Sequence, residues 1–300
     1  AGSFWSVADF LGPGAENMLF LGLPPSPGNP FGLISVPRGK DIKPGGSGQW
    51  GLGARYITDN SSEFGFYHLR YHSRAPSLQV NGPDYQVVYQ KDIKLTGASF
   101  STRAGDAAVA GEISYKQNVP IWVMQAPGVA NNYDPANPNA YRGNVWQAQV
   151  NSTYIMSPNA LASGGITLLG EVAYQRTTSN KSSLPLANSK DAAAISVMAI
   201  PSYPNVWDGW DLQVPISYMQ AISGNNTASC NGNCHATFPN GDSLSVLGAK
   251  EKRLSIGANM TYMANLKLGV SYTKFLGKPD YQTNPIGDRD NIAFNVTYNF

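Results

Sequence analysis

The chain has 300 residues, a formal net charge of +2, 13% Asp, Glu, Lys and Arg, and 42% hydrophobic residues. Soluble domains carry about 25% charge, and the deficit here is filled by uncharged polar residues and 31 glycines. Low net charge with 11% aromatics excludes a disordered chain, and 21 basic against 19 acidic residues without a basic run excludes a nucleic-acid binder. Charge-poor stretches such as 192–207 hold prolines (Pro201, Pro204), which excludes membrane-spanning helices.

Residues 1–47 begin at Ala1, show no signal peptide, and include Leu23-Pro-Pro-Ser-Pro-Gly-Asn-Pro30. The apolar runs 18–23 and 31–36 are short for a spanning strand. This segment is expected to be an extracellular loop or linker, with one extra strand inside 15–40 as the alternative. Residues 48–300 read differently, because apolar and polar residues alternate with period two, the signature of half-buried strands. Trp50, Leu52, Ala54 and Tyr56 oppose Gly51, Gly53 and Arg55. Tyr67, Leu69 and Tyr71 oppose His68, Arg70 and His72. A strand is expected over 92–102, with its facing open. Val109, Ile113 and Tyr115 oppose Glu112 and Lys116; Trp146, Val150 and Tyr154 oppose Gln147 and Gln149; Leu168, Val172 and Tyr174 oppose Glu171. A strand over 191–203 again leaves its facing open. Leu212, Val214 and Ile216 oppose Gln213 and Pro215; Leu254, Ile256 and Met260 oppose Arg253 and Ser255; Leu268 and Val270 oppose Lys267. The last strand sets Ile292, Phe294, Val296, Tyr298 and Phe300 against Asn291, Ala293, Asn295, Thr297 and Asn299.

Eleven strands of about ten residues exceed the five or six usual in soluble sheets and match a tilted membrane-spanning strand. Short connections (58–62, 103–105, 157–163, 204–209, 264–265) alternate with long ones (73–91, 117–143, 176–190, 223–250, 277–289). Tyr and Trp gather at the strand ends, as interfacial belts do. These features predict an all-β, antiparallel, transmembrane up-and-down β-barrel of the bacterial outer membrane, with short periplasmic turns and long extracellular loops. Such barrels have even strand numbers, so eleven strands predict the C-terminal portion of a larger barrel, a twelfth strand within 15–40 being the alternative. Tyr298 and Phe300 have the form of a C-terminal signal read by the barrel-insertion machinery.

The inner face is then expected to carry Arg55, His68, Arg70, His72, Glu112, Lys116, Gln147, Gln149, Glu171, Arg253 and Lys267. Charges there must be solvated or paired; they form either a selective polar pathway or a network bracing the wall. His68 and His72 share a strand face about 13 Å apart, from about 3.3 Å rise per residue, too far for one metal ion. No catalytic or phosphate-binding motif is present, so neither enzyme activity nor a metal or cofactor is expected. Cys230 and Cys234, in a Gly/Asn loop, are expected to form a small disulfide. A site made with His235 lacks a fourth ligand and zinc spacing. The apolar loop segments 85–89 and 120–127 suggest a constriction at the barrel mouth, or else loop packing and hairpins.

Several stretches also resemble a known family. Gly48-Gln-Trp-Gly-Leu-Gly-Ala-Arg-Tyr56, Glu63-Phe-Gly-Phe-Tyr-His-Leu-Arg-Tyr-His-Ser-Arg74, Asp92-Ile-Lys-Leu-Thr-Gly-Ala-Ser-Phe-Ser-Thr102, Gly111-Glu-Ile-Ser-Tyr-Lys-Gln-Asn-Val-Pro-Ile121 and Trp210-Asp-Leu-Gln-Val-Pro-Ile-Ser-Tyr218 resemble the proteobacterial outer-membrane proteins called domain of unknown function 1302. The resemblance implies an outer-membrane location, a role with hydrophobic compounds, and a periplasmic partner of lipoprotein-carrier type. The expected function is passive passage or transfer of a solute across the outer membrane; the alternative is a structural or surface-interaction barrel with a plugged lumen.

Overall fold

The computed structural model describes residues 15–21, 26–28, 33–74, 77–81, 84–121, 123–126, 129–131, 141–186, 189–224, 251–278 and 287–299. Its strands, in chain order, are β1 (Asn17–Leu21), β2 (Leu33–Pro37), β3 (Trp50–Ile57), β4 (Glu63–Tyr71), β5 (Ser77–Asn81), β6 (Asp84–Val88), β7 (Ile93–Ala104), β8 (Ala107–Pro120), β9 (Val123–Ala126) and β10 (Val129–Asn131). They continue with β11 (Arg142–Met156), β12 (Ile166–Asn180), β13 (Asp191–Trp207), β14 (Trp210–Gln213), β15 (Ile216–Ser223), β16 (Lys252–Tyr262), β17 (Leu266–Phe275) and β18 (Asn291–Tyr298).

One antiparallel sheet dominates. Its order is β18-β17-β16-β14-β13-β12-β11-β8-β7-β4-β3, with β15 sharing β14's place between β13 and β16. The eleven expected strands are therefore all present, each paired with its neighbours in the chain. β3 and β18 stand at the two ends of this order. Two-stranded hairpins β1-β2, β5-β6 and β9-β10 lie outside it. Among the described residues β1 pairs with β2, and neither joins the large sheet.

The eighth strand position is split because proline lacks the N–H that a ladder needs. The break falls at Val214-Pro215: Val214 N–H donates to Pro201 O at 3.0 Å, and Pro215 O accepts from Gly257 N–H at 2.9 Å. Pairing resumes on both sides of the gap. The short connections are tight. Gly105 takes a φ of 63° between β7 and β8, where the missing Cβ removes the steric penalty. Met263 and Ala264 adopt φ of 43° and 63° between β16 and β17 without that advantage.

The buried core sits at the end of the sheet where the long loops depart. Ile93, Val119 and Val145 form one cluster with Tyr71 against it; Ile121, Val123 and Tyr141 form another with Leu184 and Leu186. Residues 38–42 run parallel to β6, bridging Arg38 to Tyr85 and Ile42 to Val88. Tyr85 and Val87 are fully enclosed there. Burial pushes the Tyr85 phenol up, against a downward pull from Arg38. Arg142, also buried, donates to Lys91 O at 2.5 Å and to Gln90 Oε1 at 2.8 Å. The segment 85–89 expected at the mouth is thus built as hairpin and packed loop. Trp122 of the other segment lies outside the described residues.

The strand middles are inverted relative to a soluble core. Phe294, Val296 and Leu52 are 79%, 71% and 70% exposed, with Phe66, Ile113, Val150, Val172, Ile256 and Val270 exposed beside them.

Candidate functional site: the polar face of the sheet

Residues directly opposite on paired strands point to the same side, so register assigns every strand residue to a face. One row crosses the sheet as Phe66, Ala98, Ile113, Ala148, Tyr174 and Ala193. A second runs Phe64, Phe100, Gly111, Val150, Val172 and Ile195. A third, at the other side of the sheet, joins Ala258, Val270 and Phe294. This face is apolar throughout the strand middles.

The opposite face is polar. Arg55, Gly65, Ser99, Glu112 and Gln149 form one row. Glu63, Ser101, Ala110, Asn151, Glu171, Ser196, Met219 and Arg253 form the next. Gln147 opposes Ser114 and Gln175, and Lys267 opposes Thr261 and Thr297. Arg55 pairs with Glu63 at 2.8 Å, Lys116 Nζ reaches Gln147 Oε1 at 3.3 Å, and Arg253 pairs with Glu251. Glu63, Ser99, Ser101, Glu112, Gln149 and Asn151 line a hollow of about 240 Å³ on this face. The carboxylates Glu63, Glu112 and Glu171 lie on β4, β8 and β12, and Arg253 and Lys267 on β16 and β17. Chemically the face can hydrate or pair a polar solute along its length.

Arg55, Glu112, Lys116, Gln147, Gln149, Glu171, Arg253 and Lys267 share this polar face. His68, Arg70 and His72 do not, which corrects the sequence reading. His68 opposes Leu52 and Thr96, and Arg70 opposes Trp50 and Lys94. Both lie on the side of Phe64 and Phe66, near the loop end of the sheet. The His68 ring meets Trp50 at 5.4 Å between centroids and Thr96 Oγ1 at 2.7 Å. Arg70 pairs with Asp92 at 2.7 Å and holds that carboxyl below its ordinary range. His72 lies beyond the end of β4, its Nε2 3.1 Å from Ser47 O and its Nδ1 accepting from Asp92 N–H at 3.2 Å.

The reason is that the polar face turns apolar at its loop end. There Tyr71 packs on the Ile93–Val119–Val145 cluster. Tyr67 lies over Gly97, where a Cβ would run into the ring. Tyr67, Leu69 and Tyr71 therefore take the polar face and leave His68 and Arg70 to the other. The signal that finds this is upstream in the same strand, where Phe64 and Phe66 alternate with Glu63 and Gly65 in the opposite phase. Sequence reasoning missed Glu63; the alternation does set Asn151 and the buried Ser114 and Gln175 on this side of their strands. Tyr298 opposes Leu266 on the apolar face and is exposed. Phe300, Cys230 and Cys234 lie outside the described residues.

The family described as "Protein of unknown function (DUF1302)" matches residues 1–300. Comparison with curated proteins gives no match. Among solved structures, OmpTdeltaL8, a loop L8 deletion mutant of the outer membrane protein OmpT of Vibrio cholerae, aligns with 14% identity and a TM-score of 0.38. The alignment covers 83% of this chain and 62% of that one.

Proposed function

We propose that this chain, which belongs to the DUF1302 family, spans the outer membrane of a Gram-negative bacterium as the wall of an up-and-down β-barrel and gives a solute a polar path across it. The observation that carries this reading is the two-faced sheet. A soluble protein rarely exposes an apolar patch beyond a few hundred Å², yet here one sheet face is apolar and exposed through the strand middles while the other holds Arg55, Glu63, Glu112, Glu171, Arg253 and Lys267. Lipid tails on one side and water on the other satisfy both faces. The alternation of short turns with long loops supports a periplasmic side for the turns.

The charged face hydrates the path, and the packed loop end sets what enters. The finer form of this reading is a hydrophobic solute handed between the mouth and a periplasmic lipoprotein-type carrier. The reading assigns Tyr298 and Phe300 to recognition by the barrel-insertion machinery. The full-length gene product in planar bilayers tests it. Discrete conductance steps that shift ion selectivity on Glu112→Lys are expected. Membrane insertion without conductance would contradict passage and favour a plugged, structural barrel, for which the enclosed Tyr85 and Val87 beneath residues 38–42 speak.

A further inference from the structure

The apolar face is not evenly filled. Between β11, β12, β13 and β15 lies a hollow of about 510 Å³. Its floor is made by small residues in adjacent register, Ser152 opposite Gly170 and, one row on, Ala199 opposite Leu168. A Cβ built on Gly170 meets nothing within 4 Å. Tyr154 and Ile216 end the row of Leu168 and Ala199, and Tyr218 ends the row of Ser152 and Gly170. The Tyr218 hydroxyl is already engaged, donating to Gln220 Oε1 at 2.8 Å, so the hollow offers little to a polar head group.

We infer that this hollow is a binding groove for one acyl chain of a phospholipid in the periplasmic leaflet. The inference rests on the membrane reading above and deepens it. Three observations select the occupant. The groove opens on the face that meets hydrocarbon. Its lining is apolar, which suits a hydrocarbon chain and not a head group. Its depth selects the leaflet: Tyr154 and Leu168 lie two residues from the strand ends Met156 and Ile166, at the short-turn end of the sheet, which is the periplasmic end. Lipid packs against a flat wall without order, whereas a notch with a small-residue floor lets one chain contact backbone along its length, the same close approach that small residues allow between membrane helices.

The test uses the full-length protein in phosphatidylethanolamine/phosphatidylglycerol vesicles carrying phosphatidylglycerol spin-labelled deep in its acyl chain. Gly170→Leu fills the groove; the open space at this position and the removal of a glycine from a strand interior keep the fold intact. Val172→Leu, one row away on the same face, is the control. The wild type and Val172→Leu are expected to show the same motionally restricted lipid signal, and Gly170→Leu a loss from it. Equal restricted signals in all three would overturn the groove while leaving the membrane reading standing. Disulfide-linked dimers of Gly170→Cys in the same vesicles would also overturn it, by assigning the groove to a second copy of the chain. Failure of the wild type to insert into the vesicles would overturn the membrane reading itself, and the groove with it.

Discussion

At the scale of single residues, the facing of a side chain decides what a substitution costs. Val172 and Gln149 sit near mid-strand, on the apolar and polar faces respectively. An arginine at Val172 must carry its charge into hydrocarbon, at a cost of about 2–4 kcal/mol near the midplane. At Gln149 the same charge joins Glu112 and is solvated. Equilibrium unfolding in urea with lipid vesicles should therefore separate Val172→Arg from Gln149→Arg by that margin, and equal penalties would refute the assigned faces. A second residue-level prediction concerns pH. Arg70 donates two hydrogen bonds to Asp92, at 2.7 and 3.2 Å, and lowers the Asp92 pKa. A carboxyl with a depressed folded-state pKa contributes stability above its unfolded pKa and loses it as pH falls through the folded one. Both groups are partly exposed, so the contribution is of order 1 kcal/mol or less. Arg70→Gln should lower thermal stability at neutral pH, and the gap to the wild type should close as pH falls below the carboxylate range. A gap that persists in acid would mean that Arg70 acts by packing instead.

At the scale of elements, period-two alternation makes all eleven strands legible in the sequence, because a strand with one wetted face must alternate. The facing of β4 is not legible from its central residues. Tyr67, Leu69 and Tyr71 look lipid-facing in isolation, and Gly97 on the neighbouring strand and the cluster above it set them on the polar face. Those contacts join residues far apart in sequence, and their one local trace is the phase of Phe64 and Phe66 upstream in the same strand. The hairpins β1-β2, β5-β6 and β9-β10 are hidden for a similar reason: they are short, and residues 38–42 dock on β6 through tertiary pairing. The turn between β16 and β17 carries its own prediction. Met263 and Ala264 both occupy left-handed backbone, which costs L-residues about 1–2 kcal/mol each. Asn-Gly is the sequence that this hairpin geometry favours. Met263→Asn with Ala264→Gly should raise unfolding stability by about 1 kcal/mol, after the entropy lost by the added glycine. No gain would show that the side chain of Met263 contributes what its backbone loses.

At the scale of the whole molecule, the candidate site is a surface and not a constellation. Eight of the expected inner residues fall on one face because register propagates across eleven strands, and a single slip would send each side chain to the other side. The face carries both signs, with carboxylates on β4, β8 and β12 and cations on β3, β8, β16 and β17, a distribution visible only once the strands are laid in order. The central claim is that this sheet separates lipid from water. Its most direct test is a nitroxide scan of β12, placing single cysteines from Leu168 to Tyr174 in a Cys230→Ser/Cys234→Ser background reconstituted in vesicles. The claim predicts that positions 168, 170, 172 and 174 collide preferentially with oxygen dissolved in the membrane, and that 169, 171 and 173 do so less. Uniform accessibility to a water-soluble relaxant along the strand, with no period of two, would contradict it.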